Sequence, residues 1–444
     1  MRMTAPASRR AAFVSLGTAV ALALTACAGS GGPDVGATKK IDVSTNVPGA
    51  PVTLTMAYTD DPPTKALIEG FTKKHPNVTI KPQQTQFKDY VKSIKLSMSS
   101  GAPPDIAQYN PGAMNSLVPA GLVLNLDPWA KAYGWDAKFP KSSLEVLSSD
   151  RTAKQFGTGG LYAAPGAMSV LGVFYNKSLL TKAGVKGTPR TLAEFETAMR
   201  KAKSAGQAPL SVGALEVGGF QVWNALLNVT GDVSAYRSWA YGRPKATIET
   251  PAAQKAAQTV IDWTKEGYIP SSSNATADTD AQAAFANGKN TFIITGNWTA
   301  AMMESKLKDD VGFFLLPSAT AGRPAVASGA SVAFAISSKT KHPNVAAAFL
   351  DYLASPEAAK IQFETGFMPV DPKADLDAEG LRGEIRSAFG PVAQKNGIVP
   401  FPDFASPGMI DQLTPGIQGL ISGKMTADDF LGSLQKSWND HHGS

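Results

Sequence analysis

The 444-residue chain holds a single cysteine, Cys27, and only four histidines. One thiol excludes an intrachain disulfide and any cluster of thiolate ligands. His75 and His342 each precede a proline at a helix boundary, while His441 and His442 lie in a polar tail. All four read as exposed turn and tail residues rather than metal ligands. Charge is also sparse, with 18% Asp, Glu, Lys and Arg and a net +6, and no basic stripe of the kind that binds nucleic acid is present. The chain has no G-x-x-x-x-G-K-[S/T] phosphate loop, and Gly157-Thr158-Gly159-Gly160 lacks the spacing of a dinucleotide fingerprint. The sequence therefore calls for no cofactor. Beyond residue 26 no apolar run approaches the roughly 20 residues that span a bilayer. What is present is a body with 43% hydrophobic residues, an ordinary globular composition, large enough to bury a core without covalent staples.

The N-terminus is different. Arg2, Arg9 and Arg10 precede a stretch of apolar or small residues from Ala11 to Ala26. A basic head followed by a short apolar run is the pattern of an export signal, here residues 1–26. Ser8-Arg9-Arg10 also carries part of a twin-arginine signal. The signal ends in Leu24-Thr25-Ala26-Cys27, which resembles the bacterial lipobox, in which the cysteine sulfur receives diacylglycerol and becomes the new N-terminus. That resemblance implies an anchor to the membrane through Cys27, on the extracellular face of the cytoplasmic membrane, and leaves no thiol to act as a nucleophile. Removal of the signal lowers the formal charge from +6 to +3. Residues 27–51 are rich in Gly, Ser, Thr and Pro and suit a flexible tether. The Ala/Gly/Pro-rich composition fits a high-GC Gram-positive source.

Regular structure is expected from Val52, where Val52-Thr53-Leu54-Thr55-Met56-Ala57-Tyr58 alternates as a strand does. Leu67, Ile68 and Phe71 have helical spacing, closed by the cations Lys73 and Lys74. Val78-Thr79-Ile80 is a second strand. Val91, Ile94 and Met98 define a second helix, and Pro103-Pro104-Asp105 introduces the strand Ile106–Tyr109. Strand, helix, strand, helix, strand marks a parallel α/β sheet. The same grammar returns with Leu171–Tyr175, with a capping box at Thr191-Leu192-Ala193-Glu194, with Thr250-Pro251 opening a helix, and with Thr291–Ile294. Ser355-Pro356-Glu357 starts another helix with Pro in its first turn, and two more close the chain around Met409–Ile421 and Thr426–Trp438. No fixed-period repeat is present, and the length favours two domains.

Six of these segments, in order, resemble family 1 extracellular solute-binding proteins, the family of maltose-binding protein. They are Phe71–Val78, Pro103–Ile106, Gly160–Pro165 followed by Phe174–Lys177, Phe285–Lys289 with Gly296-Asn297-Trp298, Pro343-Asn344 through Ser355–Ala359, and Gly366–Pro369. The resemblance covers residues 52–440. It implies an α/β architecture of two lobes, each a mostly parallel sheet flanked by helices, with ligand in the cleft between them. The first lobe would comprise 52–165 plus 318–366 and the second 166–317 plus 367–444. The function implied is capture of a sugar, an oligosaccharide in particular, and delivery to an ABC permease whose ATPase is a separate subunit. A monomer suffices, because each chain carries one closing cleft.

A sugar offers apolar C–H faces and many hydroxyls, so its site needs aromatic plates and polar or charged acceptors. These belong on loops at the C-terminal ends of strands. Asp60 and Asp61 follow the first strand; at least one is expected to face the cleft, the alternative role being a cap on the helix that begins near Pro62. Gln86 and Phe87 follow the second strand, and Tyr109 and Asn110 end the third, where the family often places ligand contacts. In the second lobe the resemblance points to Asn297 and Trp298, with the indole stacking on sugar. It extends to Glu216 and Trp223, to Gly329 as the one glycine kept where relatives carry two, and to Phe367 and Phe404 as further aromatics. Met168 and Ser169 stand where relatives carry an acidic contact, which is therefore not transferred.

Two other classes stay open from sequence. A surface-anchored glycoside hydrolase needs two carboxyl groups about 5 to 9 Å apart; sustained turnover of an oligosaccharide without a transporter would identify it. A receptor for a peptide, polyamine or metal chelate would share the two-lobed body. Polyamine recognition favours more carboxylates in the cleft, whereas stacking aromatics favour sugar.

Overall fold

In the computed structural model, which describes residues 42–60, 63–231, 233–318, 325–371, 374, 376 and 378–443, the chain builds two sheets. The first has five strands in the order Val78–Gln84, Val52–Tyr58, Ile106–Tyr109, Ser331–Ile336, Ala164–Met168. Its first three strands are parallel, and Ser331–Ile336 runs antiparallel to both its neighbours. The second sheet has the order Val311–Phe314, Leu171–Asn176, Asn290–Gly296, Ala208–Ser211; only its last pair is parallel. Direction reverses wherever the chain re-enters a lobe: Leu171–Asn176 and Ser331–Ile336 each begin at the junction and run away from it. The strands Val52–Tyr58, Val78–Gln84 and Ile106–Tyr109 therefore end on the side of the first lobe that faces the second. Ala208–Ser211 and Asn290–Gly296 end on the side of the second that faces the first.

Local chemistry explains the elements. Pro63–Lys74 buries Leu67, Ile68 and Phe71 on one face. The hydroxyls of Thr191, Thr250 and Ser355 accept from the backbone N–H three residues on, satisfying otherwise orphaned donors. At Thr191 the expected box is shifted by one residue, because the Glu194 carboxylate accepts from the N–H of Arg190. Thr426 and Asp429 form a complete capping box. The Pro-Asp-Ile entry to the third strand also has a structural reason. The Asp105 carboxylate accepts from the N–H and hydroxyl of Thr55 at 2.8 and 3.0 Å and from the Thr340 hydroxyl at 2.6 Å, locking strands distant in sequence. The second lobe's core gathers Phe195, Phe292, Trp263, Trp223, Phe430 and Trp438.

Three findings depart from the expectations. Residues 44–50 are fastened to the first lobe: Ser44 N–H donates to Asn344, and the Asn77 amide donates to the carbonyls of Pro48 and Ala50. Order thus begins before Val52, through side chains that the composition of the segment does not reveal. His441 and His442 are not an exposed tail, since the last helix runs Ala427–His442. Burial pushes His441 down to about 4, and His442 lies 2.8 Å from the Ala405 carbonyl. Finally, Ala327–Ser328 pairs with Ile398–Val399, outside the first sheet, so the return to the first lobe falls at residues 329–331 rather than 318. Residues 1–26, Cys27, most of the tether and Asp61 lie outside the described residues.

Candidate functional site: the interlobe cleft

The junction is built by three crossings held to one another. Met168 and Met368 exchange backbone hydrogen bonds at 2.8 and 3.0 Å. The Ser169 N–H and hydroxyl both donate to the Ala330 carbonyl at 2.8 Å. Asn297, fully buried, ties the set together. Its side-chain oxygen accepts from the N–H of Val170 at 2.9 Å, and its amide donates to the carbonyls of Gly366 at 3.0 Å and Met168 at 3.3 Å. Gly329 sits where a methyl group would press on the Ser169 carbonyl, and its N–H already donates to Val399.

Beside this junction the strand ends form the walls. In the first lobe the Gln108 carbonyl oxygen of the side chain accepts from the N–H and hydroxyl of Thr59 at 3.0 and 3.1 Å. The Tyr90 hydroxyl donates to the backbone carbonyls of Ala57 and Gln108. These bonds fix the loop that starts at Asp60, whose side chain is exposed. Gln86 is exposed and Phe87 and Asn110 are half-buried, all at strand ends of this wall. Tyr109 is buried, and burial raises its hydroxyl pKa.

In the second lobe the Asn290–Gly296 strand delivers Trp298. Its ring folds over Gly296, where any side chain would collide with it. Trp298 is half-buried, and Phe401 meets it edge to face with ring centroids 6.2 Å apart. The walls also touch. Gly112, just after the third strand, packs so closely on the backbone of Asp403 that a methyl group would overlap it. Lys88 of the first wall meets Glu216 of the second at 3.1 Å. Asp403 is buried, no ion pair to it is found among the described residues, and burial pushes its carboxyl up to about 7. Asp278, which accepts from the N–H of Gly218 at 2.8 Å, is pushed up to about 6 by burial, with the nearby Glu216 adding to it. Replacing Gly112 by Ala should cost the closed arrangement roughly 1–3 kcal/mol, because a backbone rather than a flexible side chain must yield. The check is an increased radius of gyration in solution scattering.

This arrangement, two α/β lobes with strand ends facing across a hinged cleft, is matched by known proteins. The profile of the bacterial extracellular solute-binding protein family matches residues 57–360. The chain belongs to that family. Among the relatives of this binding protein are the multiple sugar-binding protein of Streptococcus mutans, 23% identical over 74% of this chain and 75% of the other, and the maltodextrin-binding protein MdxE of Bacillus subtilis, 25% identical over 95% and 93%. Similar solved structures include a chitin oligosaccharide binding protein, with a TM-score of 0.74, 22% identity and coverage of 89% and 100%. Another is the GacH receptor of Streptomyces glaucescens, with a TM-score of 0.71, 20% identity and coverage of 88% and 99%. At these identities the structures establish the fold.

Part of the expected set in this solute-binding protein lies at the strand ends that border the cleft. Asp60, Gln86, Phe87 and Asn110 lie just beyond strand ends of the first sheet, and Trp298 just beyond the Asn290–Gly296 strand of the second. The remainder have other employment. Trp223 is fully buried edge-on against Phe430 in the second lobe's core. Asn297 and Gly329 build the junction. Glu216 pairs with Lys88. Phe367 and Phe404 are fully buried, the first in the third crossing and the second in the turn against Gly112. Phe401, Asp403 and Lys88 were not foreseen. No periodicity marks Phe401 or Asp403, although Pro400-Phe401-Pro402-Asp403 does announce a turn. Among the described residues no group of three His, Cys, Asp or Glu is placed to hold a metal ion.

Proposed function

We propose that the chain is the lipid-anchored receptor of an ABC importer, capturing an oligosaccharide between its lobes and presenting it to a membrane permease. The observation that carries this reading is the half-buried Trp298–Phe401 pair after the Asn290–Gly296 strand of one lobe; with it we take Asp60, Gln86 and Asn110, which follow strands of the other lobe, as the polar side of the site. An indole face covers the C–H face of a pyranose, and carboxylate and amide groups take its hydroxyls. The names of the relatives, which refer to multiple sugars and maltodextrin, support the same class. In this reading Asp61 is a further acceptor for sugar hydroxyls and Cys27 holds the protein to the outer face of the cytoplasmic membrane. One chain forms one complete site, and hydrolysis of ATP belongs to a separate subunit, so the receptor itself catalyses nothing.

The test is a thermal-shift and calorimetric panel on the secreted body, with mono- and oligosaccharides set against amino acids, polyamines and metal salts. A ligand at 100 times its Kd adds about 2.7 kcal/mol of stability. Trp298→Ala should weaken that ligand by about ten- to a hundredfold, the scale of one lost aromatic contact. A shift with peptides, polyamines or metal salts and none with any sugar would overturn the assignment while leaving the two-lobed receptor in place.

A further inference from the structure

We propose that Lys88 and Glu216 form a latch across the mouth of the cleft, which stabilises the closed arrangement independently of any ligand. The two residues are 128 positions apart and belong to different lobes. Lys88 opens the Phe87–Ser99 helix of the first, and Glu216 lies in the loop after Ala208–Ser211 of the second. Neither residue lies on a crossing segment, so the 3.1 Å contact depends on how the two lobes are set against each other.

Local chemistry indicates that each partner is placed for the other. A cation in the first turn of a helix opposes the helix dipole, so Lys88 is unfavourable on its own element; its neighbour Asp89 is the residue type that position favours. The carboxylate of Glu216 compensates from across the cleft. Its hydrogen bond is the foremost reason that the ammonium pKa of Lys88 is raised. Glu216 is itself held in place. Its second oxygen accepts from the N–H of Asp278 at 3.3 Å, at the start of the Asp278–Ala286 helix. The Gly218–Thr230 helix begins two residues after Glu216, so two helix N-termini favour a negative charge there. A fixed carboxylate leaves mainly the lysine side chain to be ordered on closure.

The pair is partly exposed, 58% for the Lys88 side chain and 26% for Glu216. Solvent and salt therefore screen it, and its weight falls in the range of surface ion pairs, about two- to fivefold in the ratio of closed to open lobes. Closure contributed by the latch favours affinity when ligand binds the closed form. It also supplies a release point that ionic strength or a charged docking partner could loosen.

The experiment measures the interlobe distance in the ligand-free full-length protein in detergent, by electron spin resonance between labels at Lys95→Cys and Lys289→Cys. Wild type, Lys88→Met, Glu216→Gln and the exchanged pair Lys88→Glu with Glu216→Lys are compared at low and high salt. The latch predicts that each single variant, and wild type in about 1 M salt, loses two- to fivefold of its short-distance population, and that the exchanged pair recovers part of it. Unchanged distance distributions in the single variants would overturn the proposal, as would an exchanged pair no better than the worse single variant. Because no sugar is present, the result is independent of whether the ligand assignment holds.

Discussion

Replacing Asn297 by alanine is expected to cost roughly 3–5 kcal/mol of stability, more than any other single change in the cleft. The reason is accounting of buried polar groups. Asn297 has no exposure and serves three partners from two other crossings, the N–H of Val170 and the carbonyls of Met168 and Gly366. Alanine leaves the Val170 N–H and the Gly366 carbonyl in the interior without that partner, while the Met168 carbonyl keeps its bond from the Met368 N–H; each orphaned group costs about 1–3 kcal/mol. Replacement by aspartate keeps an acceptor for Val170 but turns a carboxylate toward two carbonyls, so it should not rescue. The check is urea denaturation followed by signals from each lobe. The hinge role predicts a lower midpoint and loss of coincidence between the lobes, because the residue that couples them is gone. A change below about 1 kcal/mol would contradict it.

Asp403→Asn should stabilise the protein in a pH-dependent manner, by up to about 4 kcal/mol at pH 8 and very little at pH 4. Burial lifts the carboxyl from its ordinary 3.8 to about 7 in the folded protein. The folded state therefore holds the proton more tightly than the unfolded state. Below about pH 3.8 both forms are protonated and no penalty exists. As pH rises from 3.8 to 7 the unfolded state ionises first and stability declines, and above 7 the penalty is complete at about 1.4 kcal/mol per pH unit of that window. Asparagine has the shape of the protonated acid and never ionises. Denaturation of both proteins between pH 4 and pH 8 should give curves that converge in acid and diverge toward base. Parallel curves would mean that Asp403 does not ionise within a buried setting.

The contrast between Asn297 and Trp298 shows how much was legible beforehand. The buried strand Asn290–Gly296 and its exit at Gly-Asn-Trp are visible in sequence, because apolar runs, turn residues and aromatics carry local signals. Which of the two neighbours is buried in the junction and which stays half-exposed is not visible. Asn297 is decided by partners 127, 129 and 69 positions away. Helix starts at Thr191, Thr250, Ser355 and Thr426 could be located because capping is a short-range affair. The Lys88–Glu216 contact could not, since it spans 128 positions and depends on the relative placement of two lobes. Trp223 misleads for a related reason. A tryptophan has the same composition in a core as in a binding cleft, and only its contact with Phe430 assigns it to the core. Sequence thus located the strand ends that frame the site more securely than the side chains that occupy it.

The measurement that tests the central claim most directly is small-angle scattering of the secreted body across the oligosaccharide panel. If a sugar is held between the lobes, one oligosaccharide family should reduce the radius of gyration in a saturable way, and the change should disappear in Trp298→Ala. A sugar that binds without altering the scattering curve, or a contraction produced by a peptide or polyamine and by no sugar, would contradict the account.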